Sequence, residues 1–348
     1  MTAVLLVPGP LISKAGQEGW LAVFTGAFLG LVPTLTSVYV AVRHPGQGPA
    51  QIAQIVLGKW LGRLVGAVYA AFALWIYSLV LRDLYDFMTS VLMTRTPGVV
   101  LVASMAAVVL YGIWGGLEPL ARVAFQVVTA VGTGVVLLML LSSREYNILQ
   151  REPFLFQGLG AVLESTWETA TWFSEGVIAM WLVAHVKQPR QAFRWTLIAY
   201  LCAALTLAGI TLTISLVLGP NLPSRLLYPT FSLSEIISLG AAVERLEVLL
   251  VIVWTSGIFI MLGVYLLATS TAAAHTLGLK SHRVTAVVLT LAGVWIVGLW
   301  PSSLDVAEFS GAPLRLLVHG GTLVFIPLVL LVGTLVHGAL QRRRSASA

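Results

Sequence analysis

The sequence predicts an all-α polytopic membrane protein, one transmembrane domain over 1–348 with no soluble domain, on three observations. Of its 348 residues 58% are hydrophobic and only 10% charged, whereas soluble domains carry about 25% charged residues. Mean hydropathy is +0.93, more apolar surface than a soluble fold of this length can hide, so lipid is the expected solvent for most of it. The third observation is placement: the apolar residues come in runs near the ~20 that a spanning helix needs, with Lys and Arg at their ends.

About ten segments follow. The first is half-length, Thr2 to Ile12. Full spans are expected at about Trp20–Val42, Trp60–Met93, Gly98–Trp114, Pro119–Leu141, Gly158–Val186, Phe193–Leu218, Leu246–Leu277, Val284–Trp300 and Leu314–Leu340. Polar, Pro- or Gly-bearing connectors separate them. The longest, Gly219 to Glu244, holds Pro220, Pro223 and Pro229 and ends in an amphipathic stretch. No basic leader or small-residue cleavage site stands before Ser13, so no cleavable signal is expected.

The net charge of +6 would suggest nucleic acid in a soluble chain, but here it reads as topology, and no nucleic-acid partner is expected. One side carries Arg43, Lys59 and Arg63, Arg122, Lys187, Arg190 and Arg194, Lys280 and Arg283, and the tail Arg342 to Arg344. The other holds Lys14, Arg95, Arg144, Arg151, Arg225, Arg245 and Arg315, more sparsely and several beside acids. The first side, with the basic tail 341–348, is therefore expected to be cytoplasmic. Cys202 is the single cysteine, so no internal disulfide can form.

An ionisable side chain near the centre of a spanning helix costs at least ~2.5–3.5 kcal/mol, which makes each one a functional candidate. In the third span, Arg82, Asp83 and Asp86 stand in the outer half. Arg82 and Asp86 are spaced i, i+4 and share a face, so they can neutralise each other. In the sixth span Glu175 lies near the middle, flanked by Ser174 and Gly176, and this step is where the helix is expected to break. Breaks at mid-membrane expose backbone groups to a solute. Glu175 could neutralise a substrate ammonium, carry a coupled proton, or pair with Arg82 or Arg122. Glu164 and Glu168 fall nearer the outer interface, where water can reach them.

Other features read as architecture. Gly58, Gly62 and Gly66 recur every four residues as a close-packing stripe. Trp20, Trp60, Trp114, Trp167 and Trp300 are expected interfacial anchors. The six histidines lack metal-ligand spacing, with His44, His185 and His282 in connectors. There is no phosphate-binding loop, zinc motif or nucleophile elbow. Neither catalytic residues nor a metal or other cofactor is expected, and binding a small solute is favoured over catalysis.

Several stretches resemble one family: "KAGQEGW" after the half-span, "RHPGQGPAQIAQIVLGKWLGRLVGAVY" leading into the third span, "LVLRDLYDF", "GLEPLARV", and "LYPTFSLSEIISLGAAVERLEVLLVIVW", of which Tyr228 through Trp254 is the most specific. Together they resemble the permease-like B subunit of endospore germination receptors, within the amino acid–polyamine–organocation superfamily. The resemblance runs over nearly the whole chain. It implies a five-plus-five inverted-repeat, amino acid transporter-like bundle with helices 1 and 6 broken, repeat one over about 1–145, repeat two over about 153–300 and a terminal helix over about 314–340. It also implies sensing of an amino acid or similar amine, A and C receptor subunits as partners, and residence in the inner membrane of the spore.

Carried over by position, the resemblance puts Thr2, Ala3 and Val4 at the first break and Trp172, Phe173, Ser174, Glu175 and Gly176 at the second. Tyr77 and the stretch from Trp254 to Ser256 would complete the pocket. Arg82, Asp83, Asp86, Arg122, Glu244, Arg245 and Glu247 remain as structural or coupling charges. The resemblance also implies a full first helix, whereas this chain begins at about the break, so either the start lies upstream or one wall of the inner gate is missing. Two rival readings stay open: a proton-coupled amino acid or polyamine permease acting alone, and a structural subunit or ion conduit without a ligand.

Overall fold

The computed structural model describes residues 3–147, 155–236, 246–299 and 317–346. Described there are helices α1 (Ala3–Leu6), α2 (Pro8–Ala15), α3 (Gly19–Arg43), α4 (Pro49–Leu57), α5 (Lys59–Phe87), α6 (Gly98–Trp114) and α7 (Leu117–Ser142). They continue with α8 (Gly158–Ser174), α9 (Ala179–Val183), α10 (Ala192–Leu218), α11 (Pro229–Ile236), α12 (Leu246–Leu277), α13 (Arg283–Leu299) and α14 (Ile326–Ala346). The chain is an all-α polytopic membrane protein. Six runs among the described residues are long and apolar enough to cross a membrane: Ala3–Arg43, Lys59–Leu92, Leu117–Glu145, Pro189–Leu218, Glu247–Leu277 and Leu317–Ala339. The first combines the expected half-span with the first full one. Two shorter apolar helices, Gly98–Trp114 and Arg283–Leu299, have 17 residues each, the lower limit for a span.

Where both ends are described, the boundaries expected for the spans through Leu277 hold within a few residues, because breakers set them; Trp300 and Leu314 lie outside the described residues, and α14 runs to Ala346, past the expected Leu340. Pro97 precedes α6, Gly158 opens α8 with φ +80°, and Gly219 and Gly278 follow α10 and α12 with φ +73° each. A lipid-facing surface accompanies the spans: Phe28, Trp60, Tyr111 and Phe125 are each more than 70% exposed, which suits hydrocarbon and would aggregate in water. Many hydroxyls inside the spans are satisfied by their own helices, as Thr129 donates to the Phe125 carbonyl and Ser215 to that of Thr211. This is how Ser and Thr are tolerated where water is absent.

The chain divides into two compact units. Unit 1 comprises 1–31, 122–173 and 197–258; unit 2 comprises 32–121, 174–196 and 259–348. The core of unit 1 gathers Leu11, Ile12, Val23, Val135, Leu138, Ile210, Ile214 and Leu233. There α3 and α8 cross closely: a Cβ on Gly26 would lie 2.6 Å from Cβ of Thr169, and one on Gly30 2.7 Å from that of Phe173. Thr25 and Thr166 share a hydrogen bond of 2.5 Å at the same crossing, and the Tyr200 hydroxyl donates to the Ala27 carbonyl at 2.7 Å.

In unit 2, α5 packs against α4, α6 and α13, and α14 against α4. Gly62 abuts the Gln54 backbone and Gly66 faces Ala50 and Thr276, so these two form the expected close-packing stripe. Gly58 does not belong to it: no atom would meet its Cβ, and its φ of +84° serves the turn between α4 and α5. That left-handed backbone is what requires glycine there.

Candidate functional site

The first helix interruption follows from two prolines. In an α-helix the carbonyl of residue i accepts from the N–H of i+4, and proline has none. Pro8 therefore leaves the Val4 carbonyl without its helical donor and Pro10 does the same to Leu6. The interruption falls at Val7, between α1 and α2, so Ala3 and Val4 lie in a helical turn before it. This differs from the expectation of an unwound Thr2 to Val4, because it is the proline ring that breaks the ladder. Thr230 on α11 supplies the missing donor, its hydroxyl bonding the Val4 carbonyl at 2.5 Å. Thr230→Val keeps the shape and removes that donor. We expect a loss of about 1–3 kcal/mol, read as a lowered thermal midpoint of the detergent-purified chain, with Thr230→Ser close to wild type.

Val4 also borders an apolar cavity of about 80 Å³ in unit 1, together with Leu5, Val131, Gly134, Leu138, Val253 and Trp254. Trp254 is buried. Ser256 donates its hydroxyl to the Ile252 carbonyl of its own helix. Trp172 packs on the unit 1 core, and Phe173 tilts against Tyr200 with ring centroids 5.3 Å apart. Thr2, Glu244 and Arg245 lie outside the described residues.

The second interruption lies where Ser174, Glu175 and Gly176 predict it. The α-helix ends at Ser174 and continues as a 3-10 turn over Glu175–Ile178 before α9. It tightens rather than opens: Ser174 and Ala179 both keep right-handed helical angles. In unit 2 the Glu175 carboxylate accepts a hydrogen bond of 3.0 Å from the hydroxyl of Tyr265, a buried residue of α12. Nearby steps of the same helices are tied as well. Thr269, one turn on from Tyr265, donates to the Ala70 carbonyl of α5, and Tyr69 meets Trp181 of α9 edge-on at 5.0 Å. One partner that the structure gives Glu175 is thus a phenol, a residue sequence reasoning missed. Gly176 is packed on Thr34, leaving no room for a Cβ.

Tyr77 is fully buried, its ring lying over Gly293 of α13. Arg82 and Asp86 pair as the i, i+4 spacing predicts. The guanidinium donates to both carboxylate oxygens at 2.8 and 2.9 Å, and Arg82 is 6% exposed. It stacks over the Tyr85 ring at 4.7 Å and reaches the Val297 carbonyl at 3.4 Å. Val297 precedes Pro301 by four residues, so its carbonyl too lacks a helical donor. Asp83 and Glu247 are half-buried and Arg122 is exposed. In unit 1 Glu168 pairs with Lys14 at 2.9 Å, and Glu164 is exposed. Outside the spans, burial lowers the pKa of His44, helped by His337, and that of His282, helped by Arg283 and His185. Among the described residues no three His, Cys, Asp or Glu side chains gather as a metal site.

A polytopic bundle with a carboxylate at a helix interruption is an arrangement that transporter folds also use. The profile of the spore germination protein family matches residues 2–303, and the chain belongs to that family. It is similar to spore germination protein A2 of Bacillus subtilis (strain 168), 23% identical over 301 residues that cover 86% of this chain and 82% of that protein. Spore germination protein KB of the same organism is 26% identical over 275 residues, covering 77% of this chain and 72% of the relative. Spore germination protein XB of Bacillus anthracis is 22% identical over 262 residues, covering 74% and 72%. The chain is accordingly a germinant-receptor-like membrane protein of a permease-like family, not of a recognised enzyme family.

Proposed function

We propose that this chain is the nutrient-sensing membrane subunit of a spore germination receptor, binding an amino acid-type germinant within the membrane. The observation that carries the reading is Glu175, a carboxylate at the 3-10 step between α8 and α9, oriented by the Tyr265 hydroxyl. A carboxylate at membrane depth is retained where it has a charge to meet, and the ammonium of an amino acid or similar amine is such a charge. The Tyr265 hydroxyl donates to one oxygen, and a carboxylate can accept several hydrogen bonds at once. Membership of the spore germination family supports the sensing role, and the names of its relatives point the same way. Tyr77, in the same unit as Glu175, stands as a further pocket candidate on the strength of the resemblance.

Occupancy would favour one of two states of the bundle, and the shift is limited by the ligand's difference in affinity between them. In this reading A and C receptor subunits detect the shift, in the inner membrane of the spore, with the C-terminus cytoplasmic. The test is equilibrium binding of radiolabelled L-amino acids to the detergent-purified chain. Glu175→Gln keeps a partner for Tyr265 but removes the charge, and affinity is expected to fall about ten- to a hundredfold. Equal binding by wild type and variant would remove Glu175 from the site. A wild type that binds no amino acid would point to a subunit without a ligand of its own.

A further inference from the structure

A groove of about 410 Å³ opens in unit 2 where α9 turns into α10. Its floor is apolar, made by Ala179, Leu182, Val183 and Val186, and its mouth carries Lys187. One wall is a polar ladder. Gln191 donates to Gln188 at 2.6 Å, and the Trp195 indole donates to Gln191 at 3.4 Å. Arg194 lies over the Trp195 ring at 5.7 Å, and Arg190 stands exposed in the short turn before α10. Three cations thus fall within eight residues, and the sequence has no Asp or Glu between Glu175 and Glu235.

We propose that this groove binds an anionic phospholipid, with the phosphate-bearing headgroup at Lys187, Arg190 and Arg194 and the start of an acyl chain on the Leu182–Val186 floor. Charge complementarity argues for the headgroup, because among the described residues none of the three basic side chains forms an ion pair with a carboxylate. The apolar floor argues for a lipid over a free anion, which would gain nothing from it. Trp195 is the amphipathic ring expected at headgroup depth. Basic pockets at the ends of spanning helices take anionic headgroups in this way. The groove begins one residue after the 3-10 turn that carries Glu175, so a bound lipid would brace α9, the helix continuing from that turn. The inference is independent of the amino acid reading.

The test is native mass spectrometry of the full chain titrated with dioleoylphosphatidylglycerol or dioleoylphosphatidylcholine. Wild type is expected to retain phosphatidylglycerol in preference to phosphatidylcholine. K187Q/R190Q/R194Q should lower that affinity about twentyfold or more, from about fivefold per cation removed. The charge-matched K59Q/K280Q/R283Q should change it less than about twofold, since general attraction to the membrane falls equally in both. Lys187→Gln alone, about fivefold, serves if the triple variant does not fold. Equal retention of the two lipids, equal loss in both triple variants, or displacement of phosphatidylglycerol by inorganic phosphate would each overturn the proposal.

Discussion

Arg82→Met is expected to destabilise the purified chain by about 3–5 kcal/mol, and R82M/D86L to recover most of that loss. The reason is asymmetry. Arg82 is almost wholly covered and gives Asp86 two charge-assisted hydrogen bonds, so removing it alone leaves the carboxylate without its guanidinium in a medium that solvates charge poorly. Removing both partners also removes the desolvation cost of both, which is why buried pairs can often be replaced by apolar residues at little net cost. The Val297 carbonyl limits the recovery, because it loses the Arg82 donor in either variant. Thermal unfolding in detergent measures the fold. Amino acid binding by the double variant then separates the two roles left open for this pair. A stable double variant that binds normally makes the pair structural, and one that is stable but does not bind makes it a coupling element.

Gly26→Leu is expected to cost roughly 3 kcal/mol or more, at the upper end for overpacking, and Gly26→Ala about 1–3 kcal/mol. Even the first added carbon would lie 2.9 Å from the Ala170 backbone nitrogen and 3.0 Å from the Thr166 carbonyl oxygen. No rotamer change relieves those contacts, so the helices would have to part. Within a bilayer, close packing of this kind replaces much of the hydrophobic drive that holds helices together in water. Gly132→Ala and Gly160→Ala provide the control. They lie in α7 and α8 with no atom of the described residues within 4 Å of the new methyl, and the better helix propensity of alanine should leave them neutral or more stable by up to about 1 kcal/mol. Opposite signs from one chemical change would show that proximity, and not glycine content, is what matters.

The spans were legible because length and apolarity are local properties, and Pro and Gly mark their ends. The Arg82–Asp86 pair was legible for the same reason, since i, i+4 geometry is fixed by the helix itself. The sixth-span interruption was visible in Ser174-Glu175-Gly176, but not its form, because a 3-10 turn and an open loop need the same residues. Tyr265 was not legible: nothing in the sequence near either residue ties a phenol on α12 to a carboxylate 90 positions earlier. The Gly26–Gly30 crossing did leave a signal, two glycines four apart in a span, but the run at Gly58, Gly62 and Gly66 carries the same signature and drew the reading. In that run one glycine turned out to serve a turn. Pro8 likewise announced an orphan carbonyl at Val4 without saying which residue would answer it.

That answer comes from Thr230, 226 residues further along the chain. A ribosome adding about 5–20 residues per second needs roughly ten to fifty seconds to make that stretch. Through that interval the first turn waits with one carbonyl unmatched, while the helices between are made and inserted. The Val4 bond therefore cannot close before Thr230 has been made. A cell that stalls translation between these two points would hold α1 without the hydrogen bond that Thr230 gives Val4.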